Sequence, residues 1–444
     1  MEIVLIDFCI ISALIFISKI IRIKFKFIQK LYIPSALIAG FLGLFLGKQF
    51  LNVLPFSNQI GSYSSILITV LFACMFLGNK SKISFKSMLK NVGDTFLVNG
   101  AAEIAQYAIF ILIGVLALPH VFKGIHSAFG LMLAGGFIGG HGTAGAMGSV
   151  LQESGWRDAT TIGQTFATIG LLGGILIGVI LINIGVRQGK TKIIKDVKHL
   201  PEEMLAGLVD QKSRNSIGEE TVNSVSIDTM SWHIVLILVS VGGAYVLNWV
   251  LTCIIPQFSF PIYALALICS IFVQGILKAV KLDTYVDKKI ITHIGSGCTD
   301  FLVAFGIASI NINVVIEYAL PIILLSLLGF AFTILWFYCI SSRFFNTYSF
   351  ERCIYIFGMS TGVMATGVIL LRITDPKFES GVLEDFGIAW MFLSIMDVLL
   401  VSLSPVFVLN GLGYMYGFVL MLISAISLFI CRKFVVKHNS IQRK

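Results

Sequence analysis

Eleven runs of about twenty apolar residues, each closed by a short polar or basic stretch, recur along this 444-residue chain. They lie near residues 3–21, 32–51, 61–79, 92–117, 159–186, 231–254, 260–280, 290–310, 313–341, 384–410 and 413–431. A helix needs about 20 predominantly apolar residues to cross a hydrocarbon core of roughly 30 Å, so each run is long enough to span. Hydrophobic residues make up 57% of the chain and charged residues 12%, which is more apolar surface than a soluble fold of this length can bury. Inside hydrocarbon every backbone N–H and C=O must be satisfied within the protein, so these runs predict an all-α polytopic membrane protein. The first run follows Met1-Glu2 and carries Asp7, with no basic leader and no small-residue cleavage site, and reads as a retained helix.

Two further apolar stretches, 125–151 and 352–371, are Gly-rich and interrupted. If both are re-entrant, leaving the membrane on the side they entered, the basic residues sort cleanly. All 32 Lys and Arg except Lys48, Lys123 and Arg157 then fall on the cytoplasmic side, as the positive-inside rule requires. The net charge of +9 is accounted for by these clusters between spans, and no aromatic-studded basic face for nucleic acid accompanies them. This sorting places the N-terminus outside, the C-terminus in the cytoplasm, and the chain in the cell inner membrane. The eight cysteines stand singly, mostly inside apolar runs, with no ligand-like spacing, and read as small core residues.

With these assignments each half of the chain has four spans, a re-entrant segment and a fifth span. Five is odd, so the second half is inverted relative to the first, the plan of many secondary transporters. Residues 1–186 form the first repeat, 187–230 a polar cytoplasmic linker, 231–410 the second repeat, and 411–444 an extra C-terminal span with a basic tail. The echo of Tyr32-Ile33-Pro34 by Phe260-Pro261-Ile262, each opening the second span of its half, agrees with this division.

The most informative residues are Gly135-Gly136-Phe137-Ile138-Gly139-Gly140-His141-Gly142-Thr143-Ala144-Gly145. Non-helical backbone at membrane depth is tolerated only where protein or a watery cavity surrounds it, and glycine lets such backbone turn and approach a ligand. A half-helix starting near Thr143 would aim its free N–H groups and positive dipole end at the tip, where a carboxylate can bind. The alternative is a small-residue helix-packing face.

Gly139-Gly140-His141-Gly142-Thr143 resembles the motif of the glutamate:sodium symporter family, and Ala167-Thr168-Ile169-Gly170-Leu171-Leu172-Gly173-Gly174 is similar to that family's following helix. Tyr32-Ile33-Pro34, Gln106 and Asp397 also fall where the family has the same residues. The resemblance implies a two-domain inverted-repeat fold, sodium as the coupling ion with no organic cofactor, L-glutamate or a similar small anion as substrate, and a homodimer working by an elevator-like movement. Three features depart from the family pattern: Ala144, the less Gly-rich second tip Gly358-Met359-Ser360-Thr361-Gly362, and the extra span at 413–431.

Gly139, Gly140, His141, Gly142 and Thr143 at the first tip, and Ser360, Thr361 and Gly362 at the second, are the expected substrate-binding residues. His141 reads equally as a backbone anchor in a tight turn. Arg372 either grips a substrate carboxylate or anchors the chain at the cytoplasmic interface beside Asp375. Sodium prefers oxygen ligands, and Gln164, Thr165, Thr168, Thr366, Asp397 and Asp300 supply them. Charged residues inside a span are costly and mark sites by default, so Glu103 joins Asp300 and Asp397 as a candidate, although any of the three can be a structural anchor. No H-E-x-x-H pattern suggests a membrane-embedded enzyme, and a uniporter or exporter without sodium coupling stays open as the competing transport mode.

Overall fold

The computed structural model describes residues 2–30, 33–78, 85–193, 208, 211, 214, 216–254, 262–376 and 378–435. Tyr32, Phe260, Pro261, the middle of the 187–230 linker, and Lys80, Lys82, Lys195, Lys198, Lys212, Lys377, Lys437, Arg443 and Lys444 lie outside these residues.

Among the described residues every regular element is helical. The first half contains α1 (Glu2–Lys24), α2 (Ser35–Leu46), α3 (Tyr63–Phe76), α4 (Phe85–Leu112), α5 (Phe129–Glu153) and α6 (Ala159–Arg187). The second contains α7 (Thr229–Ile254), α8 (Ile262–Ala279), α9 (Lys288–Ala308), α10 (Ala319–Leu335), α11 (Ser349–Thr374), α12 (Val382–Leu409) and α13 (Gly413–Ile430). Ten helices among the described residues are long and apolar enough to cross a bilayer, and the chain is a multi-pass membrane protein. The expected span at 32–51 is helical only over α2, because Gly47 takes extended backbone and Lys48, donating to Asn58 Oδ1 at 2.7 Å, opens a polar loop.

Burial separates two kinds of helix. Only 22% of the most apolar stretch of α1, α7 and α13 is buried, and Phe16, Leu238, Trp249 and Phe418 project outward. Helices apolar on every side yet this exposed are suited to lipid. The corresponding stretch of α11 is 72% buried, so its apolar residues serve packing within the protein. Only Cys74, Cys353 and Cys431 of the eight free cysteines are buried, and Cys9, Cys253 and Cys339 are exposed on their helices rather than in a core.

The helices form two compact units, and each draws on both halves of the sequence. Met1–Ile21, Pro34–Lys82 and Leu208–Ile310 make the first. Its core gathers Ala73 of α3, Leu77 just past its end, Leu236 and Ile237 of α7, Leu265 of α8 and Ile291 of α9. Lys288 Nζ donates to the carbonyls of Cys74, Met75 and Leu77 at 3.1, 2.7 and 3.1 Å, placing a positive charge where α3 exposes its last carbonyls. Asp7, fully buried in α1, accepts from Ser57 N at 2.9 Å, Tyr63 OH at 2.7 Å and the Ser57 hydroxyl, so this intramembrane carboxylate is a structural anchor.

Arg22–Ile33, Ile83–Gly207 and Asn311–Lys444 make the second unit, which holds α4, α5, α6 and α10 to α13. The extra helix α13 lies along α4, where Ser424 Oγ donates to Ala101 O at 2.8 Å. Arg352, buried at the start of α11, pairs with Asp385 of α12 and donates to the Thr95 hydroxyl of α4.

Within this unit α5 and α11 are each two limbs folded against one another. A straight 25-residue helix would separate Phe129 from Glu153 by about 36 Å at ~1.5 Å per residue. Instead the His126 ring, just before α5, stacks on Trp156, just after it, with centroids 4.4 Å apart. The break is at Gly140, whose φ of 63° and ψ of −155° belong to a region nearly closed to other residues. In α11 the break is at Gly362 and Val363, and a Cβ placed on Gly358 would lie 2.7 Å from Gly367 Cα. Nine residues of continuous helix would put those positions about 13 Å apart.

Candidate functional site

The two breaks come together. A Cβ on Gly140 would lie 2.5 Å from Val363 Cγ1, so the tips of the two hairpins touch in the second unit. Val363 has φ of 66° and ψ of 173°, a conformation that costs a β-branched residue on the order of 1–3 kcal/mol and persists only where its surroundings impose it. Beyond each break a new helical limb begins, and the first N–H groups of a limb lack intrahelical partners. Two limb starts, each equivalent to roughly half a positive charge, therefore open onto one place.

A glutamine from a neighbouring helix secures each tip. Gln164 Nε2, on α6, donates to His141 O at 3.0 Å, and Gln106 Nε2, on α4, donates to Ser360 O at 3.1 Å. Both side chains are fully buried, and their amide oxygens, Gln164 Oε1 and Gln106 Oε1, have no donor. An orphaned buried carbonyl oxygen carries a desolvation cost that a cation ligand would relieve. His141 lies 3.0 Å from Thr168 Oγ1, and Thr168 donates its single hydroxyl proton to Gln164 O at 2.8 Å. That leaves His141 Nε2–H as the donor to Thr168 and makes the imidazole an anchor of the tip.

The hydroxyls of the set share one habit. Thr165 donates to Thr161 O at 2.7 Å, Thr361 to Phe357 O at 2.9 Å, and Thr366 to Gly362 O. A hydroxyl whose proton is spent on its own helix keeps its lone pairs for another partner, which for a bound cation is the useful end. Thr143 and Ser360 are buried at the first and second tip. Glycines 139 and 142 flank the Gly140 break in the same hairpin.

Asp397, on α12, is 8% exposed and faces Glu103 of α4, which is 3% exposed. Asp300 is exposed on α9 and belongs to the first unit, whereas the hairpin residues belong to the second. Arg372 is exposed ten residues past Gly362, about 15 Å along its limb, and its guanidinium sits 5.5 Å from the Phe378 ring. Asp375 is occupied in accepting from Glu379 N and Ser380 N at 2.9 Å each. Asn99, Glu103 and Gln106 follow i, i+4, i+7 on one face of α4, a spacing legible in the sequence.

The sodium/glutamate symporter family matches residues 3–350. This chain belongs to that family. The sodium/glutamate symporter match includes the first hairpin and α6 and ends as α11 begins, so α12 and α13 lie beyond it. No curated protein matches the chain.

Proposed function

We propose that this member of the sodium/glutamate symporter family carries L-glutamate or a related small organic anion across the inner membrane together with sodium. The observation that supports this most is the meeting of two helix breaks, Gly140 and Val363, inside a set of buried oxygen atoms. In this reading α5 and α11 are re-entrant hairpins of an inverted repeat, dipping in from opposite faces. The backbone N–H groups of Gly139, Gly140, His141, Gly142 and Thr143 meet one end of the anion, and those of Ser360, Thr361 and Gly362 the other. Two half-charges at limb starts suit a carboxylate. Gln164, Thr165, Thr168, Thr366 and Asp397 hold sodium, and Arg372 anchors its limb at the cytoplasmic interface. The hairpin-bearing unit carries the cargo by an elevator-like movement, in a homodimer with the N-terminus outside and the C-terminus in the cytoplasm.

The test is uptake of labelled glutamate, other amino acids and dicarboxylates into proteoliposomes of purified protein. An inward sodium gradient is expected to drive glutamate accumulation, and replacement of sodium by choline to abolish it. Undiminished uptake without sodium would assign the chain to uniport or export.

A further inference from the structure

Glu103 is a buried acid that nothing above uses. It lies on the face of α4 that carries Asn99 and Gln106, and both neighbours touch the first limb of α11. Asn99 Nδ2 lies 3.4 Å from Met359 Sδ, and Gln106 Nε2 donates to Ser360 O. Glu103 therefore sits about 4.5 Å along the helix axis from the glutamine that secures the second tip. Its carboxyl faces that of Asp397 within hydrogen-bonding reach, and among the described residues no other charged group acts on it. No donor reaches Glu103 Oε1, Glu103 Oε2 or Asp397 Oδ1.

Two buried carboxyl groups in contact, without a donor or a basic partner from elsewhere, cannot both carry charge unless a cation joins them. Asp7 of the same chain shows the contrasting case, with a donor supplied for its carboxylate at every approach. Two carboxyl groups with three orphaned oxygens are instead the complement of a cation. Gln106 Oε1, fully buried and equally without a donor, lies on the same helix face one turn away. Among the described residues no cluster of three or more His, Cys, Asp or Glu side chains occurs, so this is not a cage for a transition metal or a tightly held dication.

We propose that Glu103 joins Asp397 in binding one sodium ion beside the second tip, so that a pair of carboxylates on α4 and α12 adds to the oxygen ligands named for the coupling ion. The proposal rests on the symport reading. The ion joins two helices that flank α11, so filling the site favours one setting of the hairpin against α4.

The experiment is equilibrium binding of radioactive sodium to purified full-length protein without substrate, for wild type, Glu103→Gln, Asp397→Asn and the double variant. Each single substitution is expected to weaken sodium binding by about 10-fold to 100-fold, on the scale seen when groups supporting a bound metal are lost. The double variant should bind no more weakly than Asp397→Asn, because the two carboxylates serve one ion. Wild-type affinity in Glu103→Gln, or additive losses in the double variant, would overturn the proposal. Carbodiimide modification of wild-type Glu103, read by mass spectrometry, tests the site without any variant: sodium should slow it and choline should not, and equal rates also overturn the proposal. Sodium-driven uptake that survives Glu103→Gln with unchanged sodium affinity removes this inference alone. Wild-type uptake indifferent to sodium removes the symport reading first.

Discussion

At the scale of single residues, the contact between Gly140 and Val363 is the most exposed to test. Gly140→Ala forces a side chain into backbone that only glycine readily adopts and drives its Cβ toward Val363 Cγ1. The expected cost is about 1–3 kcal/mol of stability with loss of uptake. Val363→Gly removes both the strained β-branched residue and the colliding methyl, so the thermal shift caused by Gly140→Ala should shrink in that background. Equal shifts in the two backgrounds would mean the tips do not press on one another. Arg372 is the opposite case, exposed and resting beside Phe378. Arg372→Lys should retain transport and cost less than ~0.5 kcal/mol; a large rise in the substrate KM would return Arg372 to the binding site.

Among helices, the hairpins are the elements whose reading decides most. The His126–Trp156 stack closes the open end of the first, and Gly358 against Gly367 holds the limbs of the second together. In a cysteine-free background, cysteines introduced at 125 and 155 are expected to react with an impermeant thiol reagent from the periplasm. Cysteines at 350 and 378 are expected to react only from the cytoplasm. Labelling of 125 and 155 from opposite faces would make α5 a true crossing and remove the inverted repeat. The Arg352–Asp385 pair ties the entry of α11 to α12, and Arg352 is itself deeply buried. This explains why an arginine that sequence reasoning counted only as a cytoplasmic charge is embedded in the unit.

For the whole molecule, the expectation is a dimer. Light scattering of the detergent-solubilised protein, corrected for bound detergent, should return twice the 48.6 kDa chain mass, and a monomer at all concentrations would sink this part of the proposal. The two compact units do not follow the two halves of the sequence; each takes helices from both. A division at the linker therefore describes the order of the elements along the chain but not their packing.

Periodicity and charge were enough to establish the membrane class, the positions of nearly all helices and the two Gly-rich interruptions, because bilayer thickness and the cost of buried charge act on every residue locally. Gly139-Gly140-His141-Gly142-Thr143 was legible for the same reason: a glycine run in an apolar stretch has few physical uses. Which oxygen atoms face one another was not legible. Asp7, Glu103 and Asp397 are each a lone acid in an apolar run, yet only the tertiary structure surrounds Asp7 with donors and sets Glu103 against Asp397 with none. Likewise Asp300 and Asp397 look alike along the chain and fall in different units. A hydrogen-bond partner hundreds of residues away leaves no local trace, so the function of a buried polar group is decided by packing.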